Sequence, residues 1–252
     1  MITKDNPRVI ASIEARMGSS RLPGKMMAQI GDKIVIQHLI DRLRDCHTVD
    51  DIIIATTENE KDDELVHWAE SYGVKYFRGS EKDVLQRVID ANSFMNADVI
   101  VEITGDCPFT DPEVIDIGVS TFLVNDCDYL TNCEKKSAVP GLYVQVFLLK
   151  SLVDIGKLIT DKAVREHVSL YYYENPKKYK IIHLMSSPSW SLPKNTRVYL
   201  DYPEDLEFLR AIYMRLVKNK KYQFKSQDIV DLLKSEPELL NINSHLFDEP
   251  VR

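Results

Sequence analysis

One short segment of this 252-residue chain combines the side chains that hold phosphate groups. Residues 15–25 read ARMGSSRLPGK and carry Arg16, Arg21 and Lys25, although the net charge of the chain is −7. Glycines let the backbone approach a ligand closely, serines offer hydroxyl donors, and the cations neutralise phosphate charge. This composition is typical of a triphosphate-binding loop; the alternative is a solvated surface loop with incidental charge.

The spacing within this segment excludes two other phosphate loops. A Walker loop reads G-x-x-x-x-G-K-[ST], but five residues separate Gly18 from Gly24, and Met26 follows Lys25. The dinucleotide pattern G-x-G-x-x-G is absent as well. The segment is therefore neither a standard ATPase loop nor a Rossmann fingerprint.

Two aspartates stand where carboxylates could bind a metal. Asp106 lies in TGDCP and Asp201 in LDYPEDLE, each directly after a predicted strand. Mg²⁺ takes hard oxygen ligands, commonly one or two carboxylates together with substrate phosphates and water. The alternatives are a turn aspartate at 106 and a helix N-cap at 201, where Pro203 suits the first helical turn. Asp205 is predicted to be a first-turn acid that favours the helix dipole.

Alternating strands and helices must position these residues. Apolar runs predict strands at 8–13, 51–56, 75–77 and 97–103, and amphipathic patterns predict helices around 36–43, 62–72 and 82–95. This order predicts an α/β fold with a mostly parallel, Rossmann-like sheet and helices on both faces. Such sheets bind ligands beyond the carboxyl ends of their strands, where the basic loop and Asp106 both lie.

The second half of the chain is less regular. Strands are predicted at 143–149, 180–185 and 197–200, and helices at 161–173, after Pro203 and within 224–252, which ends in a polar tail. We expect a smaller antiparallel element here that could serve dimerisation. No linker interrupts the chain, so residues 1–252 are predicted to form a single domain.

Bulk properties exclude several classes of protein. A pI of about 5.4 argues against a general nucleic-acid binder, which would present a basic surface. The polar N-terminus lacks a signal core, and no apolar run approaches the roughly 20 residues of a membrane span, so no membrane partner and a cytoplasmic location are expected. The four cysteines form no C-x-x-C pair, and the histidines show no metal-binding spacing.

Taken together, these motifs resemble the cytidylyltransferases that make CMP-sugar acids, especially the spore-coat polysaccharide biosynthesis (SpsF-type) branch. The loop at 15–25, TGDCP and LDYPEDLE occur in family order, and the resemblance extends over about 9–216. It implies an enzyme that transfers CMP from CTP to a sugar acid or related acceptor and releases pyrophosphate, for surface polysaccharide or glycoconjugate biosynthesis. It also implies Mg²⁺ as cofactor and a homodimer.

The resemblance assigns roles to individual residues. It implies that the catalytic residues are Lys25, Asp106 and Asp201, of which Asp106 and Asp201 bind the metal. It implies that the nucleotide contacts are Ala15, Arg16, Gly18, Ser19, Arg21, Lys25 and Ser80. It implies that the acceptor contacts are Gln145, Arg165 and His167.

Each of the weaker assignments has a structural alternative. Ser80 also fits a capping box with Asp83, and Arg87 is predicted to be a helix-surface cation. Arg165 and His167, in AVREHVSL, could instead form an ion pair between neighbouring helical segments.

The acceptor and the base stay open at this point. The branch usually carries Glu where this chain has Gln145, so the acceptor does not follow from the resemblance. A nucleotidyltransferase that makes a CDP-, UDP- or GDP-linked product from a phosphorylated acceptor is one alternative. A catalytically inactive nucleotide-binding relative is the other.

Overall fold

The computed structural model describes residues 6–133, 135, 137–218 and 223–247. In chain order the elements are β1 (Val9–Glu14), β2 (Gln29–Ile30), β3 (Lys33–Ile34), α1 (Val35–Arg44), β4 (Asp51–Thr57), α2 (Asp63–Ser71), β5 (Lys75–Gly79), α3 (Val84–Phe94), β6 (Val99–Thr104), α4 (Pro112–Val124), β7 (Tyr129–Thr131), β8 (Gln145–Leu148), α5 (Leu149–Leu158), α6 (Lys162–Glu166), α7 (Leu170–Glu174), β9 (Ile181–His183), α8 (Pro203–Lys218) and α9 (Ser226–Ser235).

Seven strands form one sheet in the order β5-β4-β1-β6-β8-β7-β9. All neighbouring pairs are parallel except those that involve β8, which runs antiparallel to both β6 and β7. The short strands β2 and β3 form a separate antiparallel hairpin. The predicted mostly parallel α/β sheet is confirmed, and the antiparallel strand of the second half joins it directly.

Helices cover both faces of the sheet, as predicted. On one face Ile13 and Ile54 pack with Leu39 of α1 and Ile115 of α4. On the other face the neighbouring strand positions pack with α3, α5, α6 and α7, because successive side chains of a strand point to opposite faces. A third cluster joins α8 and α9 to the hairpin. This packing fixes the carboxyl ends of β1, β4 and β6 side by side.

Two predictions from the second half of the chain need correction, and a third, the terminal helix, is confirmed. Residues 197–200 are not a strand, because the amide of Val198 donates to Pro140 and that of Leu200 to Asp106, rather than to one neighbouring strand. The predicted helix at 161–173 is two short helices, since α6 ends before His167 and α7 begins at Leu170. The terminal helix is α9 followed by a 3-10 segment, Pro237–Ile242, and residues 248–252 lie outside the described part.

Among the described residues, no helix combines the length and the apolar character that crossing a bilayer requires.

Candidate active site

The loop between β1 and β2 is held in shape by its own backbone and by one buried acid. The amides of Ser19 and Gly24 both donate to the Met17 carbonyl at 3.0 Å. The amide of Met17 donates to Asp62 Oδ1 at 2.6 Å, and Asp62 is only 1% exposed. Gly24 has a φ of 73°, in the left-handed region that favours glycine, and a 3-10 turn, Lys25–Met27, follows it. The loop thus turns back toward the strand ends.

At the centre of the site, the Lys25 ammonium bridges two carboxylates from distant parts of the chain. Its Nζ lies 2.9 Å from Asp106 Oδ2 and 2.8 Å from Asp201 Oδ1, and it donates to the Leu200 carbonyl at 2.9 Å. The side chains of Lys25, Asp106 and Asp201 are 11%, 22% and 13% exposed, so all three are largely withdrawn from water. The structure therefore brings together the three residues predicted to be catalytic.

Mutual charge stabilises this arrangement against the effect of burial. Burial alone would lower the pKa of Lys25, but the Asp106 and Asp201 carboxylates raise it above its usual value. Burial alone would raise the pKa of Asp106, but the Lys25 ammonium lowers it below its usual value. Lys25 and Asp106 are therefore both charged at neutral pH.

The other two cations of the loop lie nearer to solvent. Arg21 Nη2 lies 2.7 Å from Asp201 Oδ2, and its guanidinium carbon is 5.2 Å from the centre of the Tyr202 ring. Arg16 Nη1 lies 3.7 Å from Glu81 Oε1, and both of these side chains are half exposed. The two arginines can therefore turn toward a ligand at little cost, because exposed ion pairs are weak.

The remaining nucleotide contacts predicted in this loop differ in their accessibility. Ala15 is 3% exposed, whereas Gly18 is exposed to solvent. Ser19 Oγ accepts from the Leu22 amide at 3.2 Å, so its hydroxyl hydrogen is still available to a ligand. Their roles in nucleotide binding stay predictions.

Close packing around Gly105 positions Asp106 in the site. A Cβ on Gly105 would lie 2.9 Å from Met26 Sδ and 3.0 Å from both Ala15 Cβ and the Glu14 carbonyl oxygen. The amide of Gly105 donates to that carbonyl at 2.9 Å. Glycine before Asp106 therefore lets the turn after β6 lie directly against the basic loop at 15–25.

Asp201 faces the site as predicted, while Asp205 takes the capping role that was the alternative for Asp201. The Asp201 carboxylate contacts Lys25 and Arg21, while the amides of Asp201 and Tyr202 donate to Asp205 Oδ2 at 3.0 Å each. Asp205 is therefore more than a first-turn acid that favours the helix dipole: it is fully buried and holds the turn before α8.

Arg197 completes the support beneath Asp201. Its Nε and Nη2 lie 3.1 Å from the two oxygens of Asp205, and its side chain is 4% exposed. This buried pair fixes the start of α8. It thereby fixes the direction in which the Asp201 carboxylate points.

The β5–α3 turn carries a helix cap and a buried cation. Asp83 is the N-cap of α3, because its Oδ1 accepts from the Gln86 amide at 3.0 Å, and the exposed Ser80 accepts from the Asp83 amide at 3.1 Å. Arg87 is not a surface cation as predicted: it is 3% exposed and donates to the Ala55 and Ser80 carbonyls. The role of Ser80 toward a nucleotide stays a prediction.

Gln145 opens β8 on the same sheet face as α7. Its Oε1 accepts hydrogen bonds from the Tyr129 hydroxyl and from Ser169 Oγ, the latter at 3.0 Å. Because its oxygen is already used, the amide nitrogen is the group that it can offer to an acceptor.

Arg165 and His167 lie at the break between α6 and α7. Arg165 pairs with Asp83 and donates to the Gly156 carbonyl at 2.8 Å, so the ion pair between neighbouring helical segments is present. His167 is exposed where α6 ends. Acceptor binding by either residue stays a prediction.

The sequence motifs do not identify two acids that lie near the site. Glu14 ends β1 and Glu102 lies inside β6, where it is 6% exposed. A charged residue inside an otherwise apolar strand, VIVEIT, is the signal that could have found Glu102.

The donor set suits a magnesium ion shared with substrate. Asp106 and Asp201 converge on one point, now held by the Lys25 ammonium. The described residues hold no cluster of three or more His, Cys, Asp or Glu side chains that could bind a metal alone. Two carboxylates with substrate phosphates and water make the coordination sphere that Mg²⁺ commonly takes.

Comparison with known proteins assigns the chain to a family. The model of a family described as cytidylyltransferase matches residues 10–238, which include every residue of the site. The chain belongs to the cytidylyltransferase family. The predicted resemblance is thereby confirmed, and so is the enzyme class, a nucleotidyltransferase.

Individual relatives match over nearly the whole chain. An uncharacterized protein of Methanocaldococcus jannaschii is 37% identical over 97% of this chain and 98% of its own length. The spore coat polysaccharide biosynthesis protein SpsF of Bacillus subtilis is 30% identical over 91% of this chain and 95% of its own. A 3-deoxy-manno-octulosonate cytidylyltransferase of Solibacter usitatus is 38% identical over 51% of this chain and 50% of its own.

A solved structure supports the same conclusion for the fold. A cytidylyltransferase from Leptospira borgpetersenii superposes with a TM-score of 0.84 at 29% identity, over 97% of this chain and 99% of its own.

Proposed function

We propose that this cytidylyltransferase transfers CMP from CTP to a sugar acid, with release of pyrophosphate, in surface polysaccharide or glycoconjugate biosynthesis. One observation carries the proposal: Lys25, Asp106 and Asp201 converge within 2.9 Å beside a loop that carries two more cations. The acceptor class follows from the relatives named for spore coat polysaccharide and for 3-deoxy-manno-octulosonate.

The loop cations and the two aspartates have different roles in nucleotidyl transfer. Arg16, Arg21 and Lys25 hold the triphosphate and stabilise the charge that develops as an acceptor oxygen attacks the α-phosphorus. The bond from that phosphorus to the oxygen that bridges the α- and β-phosphates breaks, pyrophosphate leaves, and the proton of the acceptor hydroxyl passes to solvent. Such chemistry depends mainly on positioning and charge, because the protein itself forms no covalent bond.

Lys25, Asp106 and Asp201 would share the site with a metal ion and the nucleotide phosphates. The Lys25 ammonium lies between the two aspartates, and these two carboxylates are the groups that would hold Mg²⁺. Bound Mg²⁺ would supply charge stabilisation at the phosphates. Lys25, which lies on the basic loop, would add its positive charge at the phosphate oxygens.

Two further features belong to the proposal on the family resemblance alone. They are a homodimer and a cytoplasmic location.

Neutralising each aspartate tests the assignment. Asp106→Asn and Asp201→Asn should each lower pyrophosphate release by a hundredfold or more, roughly the loss of a transition-state charge contact. Asp126→Asn is the matched control, because Asp126 forms an exposed ion pair with Lys180. The folded state of each variant is checked by circular dichroism. A fully active Asp201→Asn enzyme would show that the Asp201 carboxylate only pairs with Lys25 and Arg21 and takes no part in the reaction.

A further inference from the structure

An aromatic ring lies beside one of the loop cations. Tyr202 directly follows Asp201, and the Arg21 guanidinium carbon is 5.2 Å from the centre of the Tyr202 ring. The same guanidinium pairs with Asp201 Oδ2 at 2.7 Å, so two consecutive residues of one turn contact it. The face of an aromatic ring carries partial negative charge and attracts a cation at this distance. A carboxylate and a ring therefore hold Arg21 together.

Buried groups beneath the turn fix the position of Tyr202. Its amide donates to Asp205 Oδ2 at 3.0 Å, and its carbonyl accepts from the Asp205 amide at 3.1 Å. Arg197, which pairs with the buried Asp205, has its guanidinium carbon 5.5 Å from the centre of the Tyr202 ring. The side chain of Arg197 is 4% exposed, whereas that of Arg21 is 50% exposed. The ring therefore connects a buried ion pair to a cation at the surface.

The ring and the carboxylate hold Arg21 in different ways. Asp201 Oδ2 accepts a hydrogen bond from Arg21 Nη2 and neutralises its charge. The face of a ring uses none of the five N–H donors of a guanidinium and leaves its charge in place. A triphosphate competes with the carboxylate for donors and for charge, but it does not compete with the ring. Arg21 can therefore turn its N–H groups toward phosphate without leaving Tyr202.

Such a contact affects nucleotide affinity through conformational entropy. An arginine side chain has many rotamers, and a ligand that fixes one of them loses affinity for that reason. Tyr202 already restricts Arg21 before a nucleotide arrives, so less entropy is lost when Arg21 binds phosphate. The ring contributes this benefit on binding, so it should appear in KM for the nucleotide more than in kcat.

We propose that Tyr202 is a positioning residue for the nucleotide, whose ring keeps Arg21 within reach of the triphosphate in the empty and in the loaded site. This inference rests on the cytidylyltransferase function proposed above, in which Arg21 binds phosphate. Tyr202 acts through Arg21, so its effect disappears when Arg21 is replaced. The ring carries the effect and the hydroxyl does not, so phenylalanine can take its place.

Substitutions in the turn test the proposal by steady-state pyrophosphate release. Tyr202→Leu removes the ring and should raise KM for CTP by about three- to fivefold, the worth of a partly exposed cation–π contact, with kcat unchanged within about twofold. Tyr202→Phe should match the wild type. Tyr199→Leu is the matched control, because the half-buried Tyr199 ring lies against Arg197, at 4.4 Å from its guanidinium carbon. It should leave KM for CTP unchanged within about twofold.

A double-mutant cycle separates positioning from a structural role. In an Arg21→Met background, Tyr202→Leu should raise KM for CTP no further. If the increase is as large in that background as in the wild type, or if Tyr202→Leu lowers kcat and Tm without changing KM, the ring only supports the start of α8 and the inference is wrong. A Tyr202→Leu enzyme with the KM of the wild type overturns it as well.

A measurement on the wild-type protein decides the case in which Tyr202→Leu does not fold. The ring current of Tyr202 shifts the NMR resonance of the Arg21 Nε–H group, which is identified by its loss in Arg21→Met. We expect this shift to persist at saturating CTP. A resonance that moves to the position of a solvent-exposed arginine when CTP is added overturns the inference.

Calorimetry with CTP on the same samples separates the inference from the proposed function. A wild type that neither binds CTP nor releases pyrophosphate overturns both. Intact CTP binding and turnover, combined with any of the adverse results at Tyr202, overturn the positioning role alone.

Discussion

Replacing Lys25 by methionine removes the cation that bridges the Asp106 and Asp201 carboxylates, although Arg21 still pairs with Asp201. Methionine keeps most of the length of the side chain but leaves two acids facing each other at the centre of the site. Breaking a fully buried ion pair from one side costs about 3–5 kcal/mol. Because the aspartates are 22% and 13% exposed, water relieves part of this cost, and we expect a loss of about 2–3 kcal/mol.

That loss is measurable as a shift in thermal unfolding, and magnesium should reverse it. For a chain of this size, a loss of about 2–3 kcal/mol lowers Tm by about 5–10 °C. Mg²⁺ binds the two carboxylates of the variant without displacing an ammonium, so saturating Mg²⁺ should raise Tm more in Lys25→Met than in the wild type. A ligand at a hundred times its Kd adds about 2.7 kcal/mol, enough to restore the variant.

The control is Lys180→Met, which breaks the exposed pair of Lys180 with Asp126. We expect it to lose little stability and to show no special response to Mg²⁺. The reasoning is refuted if Lys25→Met is as stable as the wild type without metal. It is also refuted if Mg²⁺ raises the Tm of both proteins equally.

Three further outcomes follow from the packing around the site. Gly105→Ala places a Cβ 2.9 Å from Met26 Sδ and should lower the free energy of unfolding by about 1–3 kcal/mol and abolish most turnover. A urea unfolding curve that matches the wild type would contradict this. Arg197→Met leaves the buried Asp205 carboxylate without its cation and should lower the free energy of unfolding, measured in the same way, by about 3–5 kcal/mol. A loss below about 1 kcal/mol would show that the backbone amides alone stabilise this carboxylate. Burial raises the pKa of Glu102 to about 7, so between the ordinary carboxyl pKa and about pH 7 the folded state binds more protons than the unfolded state. Tm should therefore fall as the pH rises through this range. The fall should be smaller in Glu102→Gln.

The sheet and the phosphate-type loop are predictable from local signals. Short apolar runs such as VIASIE in β1 and the alternation with amphipathic helices determine a parallel sheet, and the sheet places strand ends together. Asp106 and the loop could therefore be placed at one edge from the sequence. The 3-10 turn that carries Lys25 to both acids depends on the Met17 carbonyl and on Asp62, and contacts of this kind leave no periodic pattern.

Interactions between distant residues explain what the sequence could not predict. Residues 197–200 have a strand-like composition, but their amides bond to Pro140 and Asp106, so tertiary contacts override local preference. Asp205 has the position of a first-turn acid, yet Arg197 and two amides bury it completely. Helix α3 likewise buries Arg87, whose place in the sequence predicts a surface cation.

The choice of base tests the central claim most directly. CTP, UTP, GTP and ATP are supplied at equal concentration with a sugar acid acceptor, and the nucleotide incorporated into product is measured. We predict CTP, because purines exceed a pocket for one ring, and because UTP presents an oxygen acceptor where cytosine presents an amino donor. An unpaired buried polar group costs about 1–3 kcal/mol, so CTP should be preferred over UTP by about tenfold to a hundredfold. Equal incorporation of CTP and UTP, or a preference for GTP, would contradict the proposed cytidylyl transfer.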